Sequence, residues 1–136
     1  MGRFLNRALE RTGLTDLAER ALSGVGLDEH ALARLQGADV LVIAGLGDAV
    51  RARHRGDEVR IMTQETARRD ATVVRLNLGS GQVDGPTGEE LLRQVALARL
   101  ARPADQAIGV SFEQIGLGLA QVALAFGADV LIGDLR

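Results

Sequence analysis

The residue types that carry most protein chemistry are scarce in this chain and poorly spaced. None of its 136 residues is cysteine, so a disulfide, a thiolate nucleophile and a cysteine-ligated cluster are all excluded. All sixteen basic residues are arginine. Without lysine there is no Schiff-base nucleophile, no anchor for pyridoxal phosphate and no Walker A lysine. His30 and His54 stand alone, outside any spacing that would set two ligands on one helical face, so no metal site is expected. The serines, at 23, 80 and 111, do not sit in the Gly-x-Ser-x-Gly elbow of a hydrolase. No catalytic residue and no cofactor follow from spacing.

Binding motifs are more plentiful. Gly45-Leu46-Gly47 would resemble a dinucleotide turn, but the third glycine of that fingerprint is replaced by Val50, and Asp48 puts a negative charge where an anion would sit. Close helix packing explains these glycines better. Arg51, Arg53, His54, Arg55 and Arg60 form a basic cluster suited to a carboxylate, a phosphate or an acidic partner surface. Cations also complement the carboxyl end of a helix, and Asp57 and Glu58 offset part of the charge, so the cluster needs no ligand. The stretch Gly79 to Gly85 carries Ser80 and Asp84 after a strand pattern, where α/β proteins hold ligands. With the carboxylates Glu113 and Asp129 these are the ligand candidates.

The elements that must position such groups follow from periodicity. Apolar residues recur at helical spacing from Phe4 to Leu22, with Gly13 dividing the run into two helices and Thr15 with Asp16 placed to cap the second. Asp28 is an N-cap signal for Glu29 to Leu35, and Gly37 is its stop. Ala38 to Arg55 fits either a buried strand or a helix, and helix is preferred. Glu58 to Thr63, Thr72 to Leu78, Ala107 to Phe112 and Val130 to Ile132 read as strands. Thr87-Gly88-Glu89-Glu90 opens a helix that Pro103 ends, and Gly116 to Phe126 reads as an apolar helix. Strands alternating with helices imply parallel crossovers. The expected fold is therefore α/β: one domain, 1–136, mainly helical over 1–56 and α/β over 57–136.

The composition narrows the partners. With 46% apolar and 25% charged residues the chain is expected to fold around a core. A net charge of −2, three Phe and no Tyr or Trp argue against nucleic acid. No run approaches the apolar length of a membrane helix, and the opening Met1 to Arg7 is too polar for a signal peptide, so no membrane insertion and a cytoplasmic location are expected.

Two segments resemble the radical S-adenosylmethionine enzymes of the futalosine route to menaquinone and their relatives in deazaflavin cofactor synthesis. Leu41 to Val59, with its basic end and Gly56-Asp57 turn, resembles the helix that leads into their first barrel strand. Gly88 to Leu100 resembles their late helix. Ile108 to Phe112, Gly116, Ala120 to Leu124 and Phe126-Gly127-Ala128-Asp129 resemble their last strand and helix. The likeness covers about half of the chain. It departs where those enzymes place a Cys-x-x-x-Cys-x-x-Cys loop, since Arg60-Ile61-Met62-Thr63-Gln64-Glu65 runs on without it. Their closing Gly-Ala-Asn-Asp motif is altered as well.

A complete (β/α) barrel takes about 250 residues. The resemblance therefore implies a partial barrel, joined through residues 64 to 87, with uncovered strand edges and helix faces. It implies a non-catalytic protein that binds a second copy of itself or another protein, such as a catalytic homologue. The interface candidates are Arg51, Arg53 and Arg55, and the stretch Ile108 to Phe112 with Leu117 to Phe126, represented by Phe112, Leu117, Leu124 and Phe126. The alternative is a small-molecule binder, or a cofactor-independent enzyme, with a pocket for a nucleoside-like or quinone-precursor ligand.

Overall fold

The helices of the first third begin and end on local signals that the computed structural model, which describes residues 2–78 and 87–134, makes explicit. Helix α1 (Arg3–Thr12) stops at Gly13, whose left-handed φ of 73° a side chain would disfavour. Helix α2 (Thr15–Leu22) departs from the expected cap. Leu14 is its N-cap, no side chain bonds its first turn, and the Asp16 carboxylate pairs with Arg34 at 3.1 Å instead. Helix α3 (Glu29–Gln36) starts as expected, with the Asp28 carboxylate accepting from the Ala31 amide at 2.9 Å. The ambiguous segment is helix α4 (Val40–Arg55), and its Val42, Ile43, Leu46 and Val50 are buried. They pack with Leu9, Leu17 and Leu35, each worth roughly 1.5–3 kcal/mol relative to exposure.

The rest is α/β: strand β1 (Arg60–Met62), helix α5 (Gln64–Arg69), strand β2 (Val73–Arg75), helix α6 (Gly88–Ala101), strand β3 (Ala107–Ser111), helices α7 (Phe112–Ile115) and α8 (Leu117–Ala123), a 3-10 turn over Leu124–Phe126, and strand β4 (Val130–Ile132). The expected strands exist, β4 with the expected bounds and the other three shorter than expected. Phe112, read as the end of a strand, begins α7, because the Ser111 hydroxyl accepts from the Gln114 amide and starts a helical turn. Helix α5 was not expected; Thr63 caps it by accepting from the Thr66 amide at 3.1 Å.

Among the described residues the four strands are all parallel, in the order β1-β4-β3-β2. Alternate residues face opposite sides. Ile108, Val110 and Leu131 join Leu91, Val95, Ala120 and Ala123 under α6 and α8. Val73, Ala107, Val130 and Ile132 join Ala67 of α5 on the other side. The crossover from β1 to β2 thus runs over one face and the later crossovers run over the other. The first strand lies beside the last, a relation that a closed (β/α) barrel also has, but this sheet is open. Among the described residues, β1 and β2 are its edges.

Helix α6 links the two halves. Leu91 and Val95 face the sheet core, while Ala96 and Leu100 belong to the core built by α1 to α4. Gly47 allows α4 to close against that layer, since a Cβ there would collide with the Phe126 carbonyl. Among the described residues no helix is long and apolar enough to cross a membrane.

Candidate functional site

A parallel sheet has two unlike ends, and ligands in α/β folds sit at the carboxyl ends of the strands. The amino ends here are closed by charge. Arg99 on α6 is 1% exposed and Asp129, just before β4, is 4% exposed. The Arg99 guanidinium donates to Asp129 Oδ1 at 3.0 Å, to the Gly127 carbonyl at 2.7 Å and to the Gln106 carbonyl at 2.7 Å. Asp129 Oδ1 also accepts from the Ile108 amide at 2.8 Å, and its Oδ2 accepts from Arg55 Nε at 2.8 Å. Burial pulls the Arg99 guanidinium below its ordinary pKa, and the Asp129 carboxylate opposes that shift.

The carboxyl ends form an open polar cleft of about 500 Å³, lined by Gln64, Arg75, Leu76, Asn77, Ser111, Glu113, Gln114 and Ile132. Each strand places part of it. Gln64 follows β1, Arg75 ends β2, Ser111 ends β3 and Ile132 ends β4. The register puts Arg75 opposite Gly109 and Ser111 opposite Ile132. Hydrogen bonds between elements hold the polar groups in place. Gln64 Nε2 donates to Ser111 Oγ at 3.2 Å, and Gln114 Nε2 donates to Asn77 Oδ1 at 3.0 Å. Glu113 Oε1 accepts from the Asp134 amide at 2.6 Å. Gly109 leaves room for the Ile132 side chain that lines the cleft, because a Cβ there would lie 2.6 Å from Ile132 Cδ1.

The sequence-derived candidates separate between these regions. Glu113 is in the cleft, whereas Asp129 is at the opposite end and fully engaged in structural bonds. Ser80 and Asp84 lie outside the described residues, as does the stretch Gly79 to Gly85 that carries them. Arg51 pairs with Asp48 at 2.8 Å and donates to the Gly56 carbonyl, closing the end of α4. Arg55 joins the Asp129 network and donates to the Asp105 carbonyl at 2.9 Å. Arg53 is exposed, and His54 contacts the Leu22 carbonyl through Nε2 at 2.7 Å. Gly45 and Gly47 lie inside α4, against Leu5 and Phe126.

Ile108 and Val110 are fully buried in an interior strand, so this part of the expected interface stretch is covered within the chain. Phe112 packs over Gly133, and Phe126 is half-buried between the two cores. Leu117 is exposed; Leu124 is half-buried beside Val59 in a shallow cleft next to β1. Sequence reasoning missed Gln64, Arg75, Asn77 and Gln114. For Gln64 and Gln114 the available signal was a place just after a strand pattern; Arg75 and Asn77 fell inside the expected strand Thr72 to Leu78 and gave none.

Among the described residues no group of three or more His, Asp or Glu side chains is placed to hold a metal ion. Ser111 is bonded to Gln64 and Gln114, and no histidine lines the cleft, so it contains no serine–histidine pair of the hydrolytic kind. Comparisons of the chain with protein-family models, with curated proteins and with solved structures found no match.

Proposed function

We propose that the protein acts by binding, as a non-catalytic relative of the radical enzymes whose end segments it resembles, and that it assembles with a second copy of itself through β1. The observation that supports this reading is the uncovered edge of the sheet. Among the described residues β1 pairs with β4 on one side only, and Val59 just before it and Ile61 within it are 44% and 60% exposed. Val122 is exposed on α8, and Leu124 and Ala125 line the shallow cleft beside Val59. An unpaired strand with apolar side chains is a template for another strand.

Self-pairing suits this edge. A two-fold axis sets β1 antiparallel to its copy. With Val59 opposite the partner's Val59, Glu58 stands opposite the partner's Arg60 and Arg60 opposite the partner's Glu58. The two ion pairs then share one face and the valines the other. A heteromeric accessory role would use the same edge, with a homologous strand as the second partner.

Sedimentation velocity over a range of concentrations tests the proposal. The expected result is a dimer that Ile61→Lys converts to a monomer without unfolding, since Ile61 is exposed. Glu58→Arg should weaken the dimer, and the double exchange Glu58→Arg with Arg60→Glu should restore it. A wild-type chain that stays monomeric, alone and when isolated from its own cells, overturns the reading.

A further inference from the structure

The cleft at the carboxyl ends of the strands is a different surface from the β1 edge, and its chemistry stands independently of assembly. Its lining combines one guanidinium, one carboxylate, three side-chain amides and a hydroxyl. We infer that it is a binding site for a small zwitterion of the amino-acid type, whose carboxylate pairs with Arg75 and whose ammonium meets Glu113.

Three observations carry this assignment. The first is charge. Arg75 makes no ion pair among the described residues, and a guanidinium presents a planar pair of donors that matches a carboxylate. Glu113 uses Oε1 to accept from the Asp134 amide, and its other oxygen has no partner among the described residues. A doubly charged anion would face Glu113 with only one guanidinium to balance it, whereas a zwitterion meets both charges with the right sign.

The second observation is preorganisation. The Gln64–Ser111 bond ties the segment after β1 to the end of β3, and the Gln114–Asn77 bond ties α7 to the segment after β2. The amides therefore hold fixed positions without a ligand, which lowers the ordering cost of binding. The third is size. The cleft volume of about 500 Å³ lies within the range of about 300–1,000 Å³ typical of small-molecule sites. Leu76 and Ile132 supply apolar surface for a short side chain.

Titration calorimetry and thermal unfolding of the full chain test the assignment, with free L-amino acids added singly and with succinate and inorganic phosphate as anion-only probes. The expected result is saturable heat with at least one amino acid, and a melting temperature that rises with its concentration. Arg75→Gln and Glu113→Gln should each weaken that binding by about tenfold or more, because each removes a charge-assisted contact. Both positions are exposed, and Glu113→Gln keeps a side-chain oxygen that can receive the Asp134 amide, so the melting temperature without ligand should stay unchanged. Absence of saturable binding by every amino acid overturns the assignment. So does binding of succinate or phosphate as tight as that of the best amino acid, or amino-acid binding that neither variant alters.

Discussion

Asp129, Arg99 and Arg55 join the amino ends of β3 and β4 through mutual ion pairs and backbone bonds, whereas Gln64, Arg75, Asn77, Ser111, Glu113 and Gln114 leave the carboxyl ends as an open cleft. Both ends are polar, but they differ in solvation. At the amino end Arg99 and Asp129 are removed from water and each of their hydrogen bonds goes to a fixed protein partner, so the cost of desolvation is offset only while the whole set remains intact. At the carboxyl end the amides and charges keep contact with water. Their mutual bonds set positions without committing every donor and acceptor. The contrast separates groups that hold the fold from groups placed to meet something else.

Removing a partner at the amino end should have the largest effect. Asp129→Ala leaves the buried Arg99 without its carboxylate and the Ile108 amide without an acceptor, and should cost about 3–5 kcal/mol in urea unfolding. A loss below about 1 kcal/mol, the worth of an exposed ion pair, would break the comparison by showing that water reaches the site.

A smaller loss is expected at the other end. Ser111→Ala removes the cap of α7 and the acceptor for Gln64, and should cost about 0.5–2 kcal/mol by the same measurement. An equal or larger loss than that of Asp129→Ala would mean that the cleft is a structural element.

The smallest effect belongs to carboxylates outside both networks. The Arg34 guanidinium holds Asp16 below its ordinary pKa of 3.8, the Ala31 amide does so for Asp28, and the Thr72 hydroxyl for Asp70. Each carboxylate binds its proton less readily folded than unfolded. Its contribution is therefore present above the unfolded value of 3.8 and is lost as the pH falls through the lower folded value. Stability should decline as the pH falls below about 4, and the decline should be shallower in the variant Asp16→Asn, Asp28→Asn, Asp70→Asn. An unchanged acid slope would assign acid sensitivity to other groups.

Much of the fold was readable from local pattern. Gly13, Asp28 and Thr87 mark helix boundaries because their effect acts within one turn, on backbone groups close in sequence. The parallel sheet followed from the alternation of strands and helices, since parallel neighbours need a crossover. Besides Phe112, two local readings failed for an identifiable reason. Asp16 lies where a cap would be useful, yet it pairs with Arg34, eighteen residues away. Thr63 reads as the end of a strand, while its hydroxyl begins α5, because one residue can serve both as the last extended position and as a cap.

The site was much less readable. Glu113 was found by its residue type, but Gln64, Asn77 and Gln114 are ordinary amides until the sheet brings them together across 47 and 37 residues. Asp129 shows the converse. Its type and position suggested a ligand contact, and the fold engages both of its oxygens in the interior.

The sequence by itself determined most of the helical and extended segments, though not α5 or the start of α7, and it ruled out cysteine- and lysine-dependent chemistry, because propensity, capping and residue inventory are local or compositional properties. Only the tertiary structure decided the strand order β1-β4-β3-β2, the side on which α5 crosses, and which polar groups are buried and which face water. Those outcomes depend on contacts between residues far apart in the chain, whose energies exist only once the layers have packed.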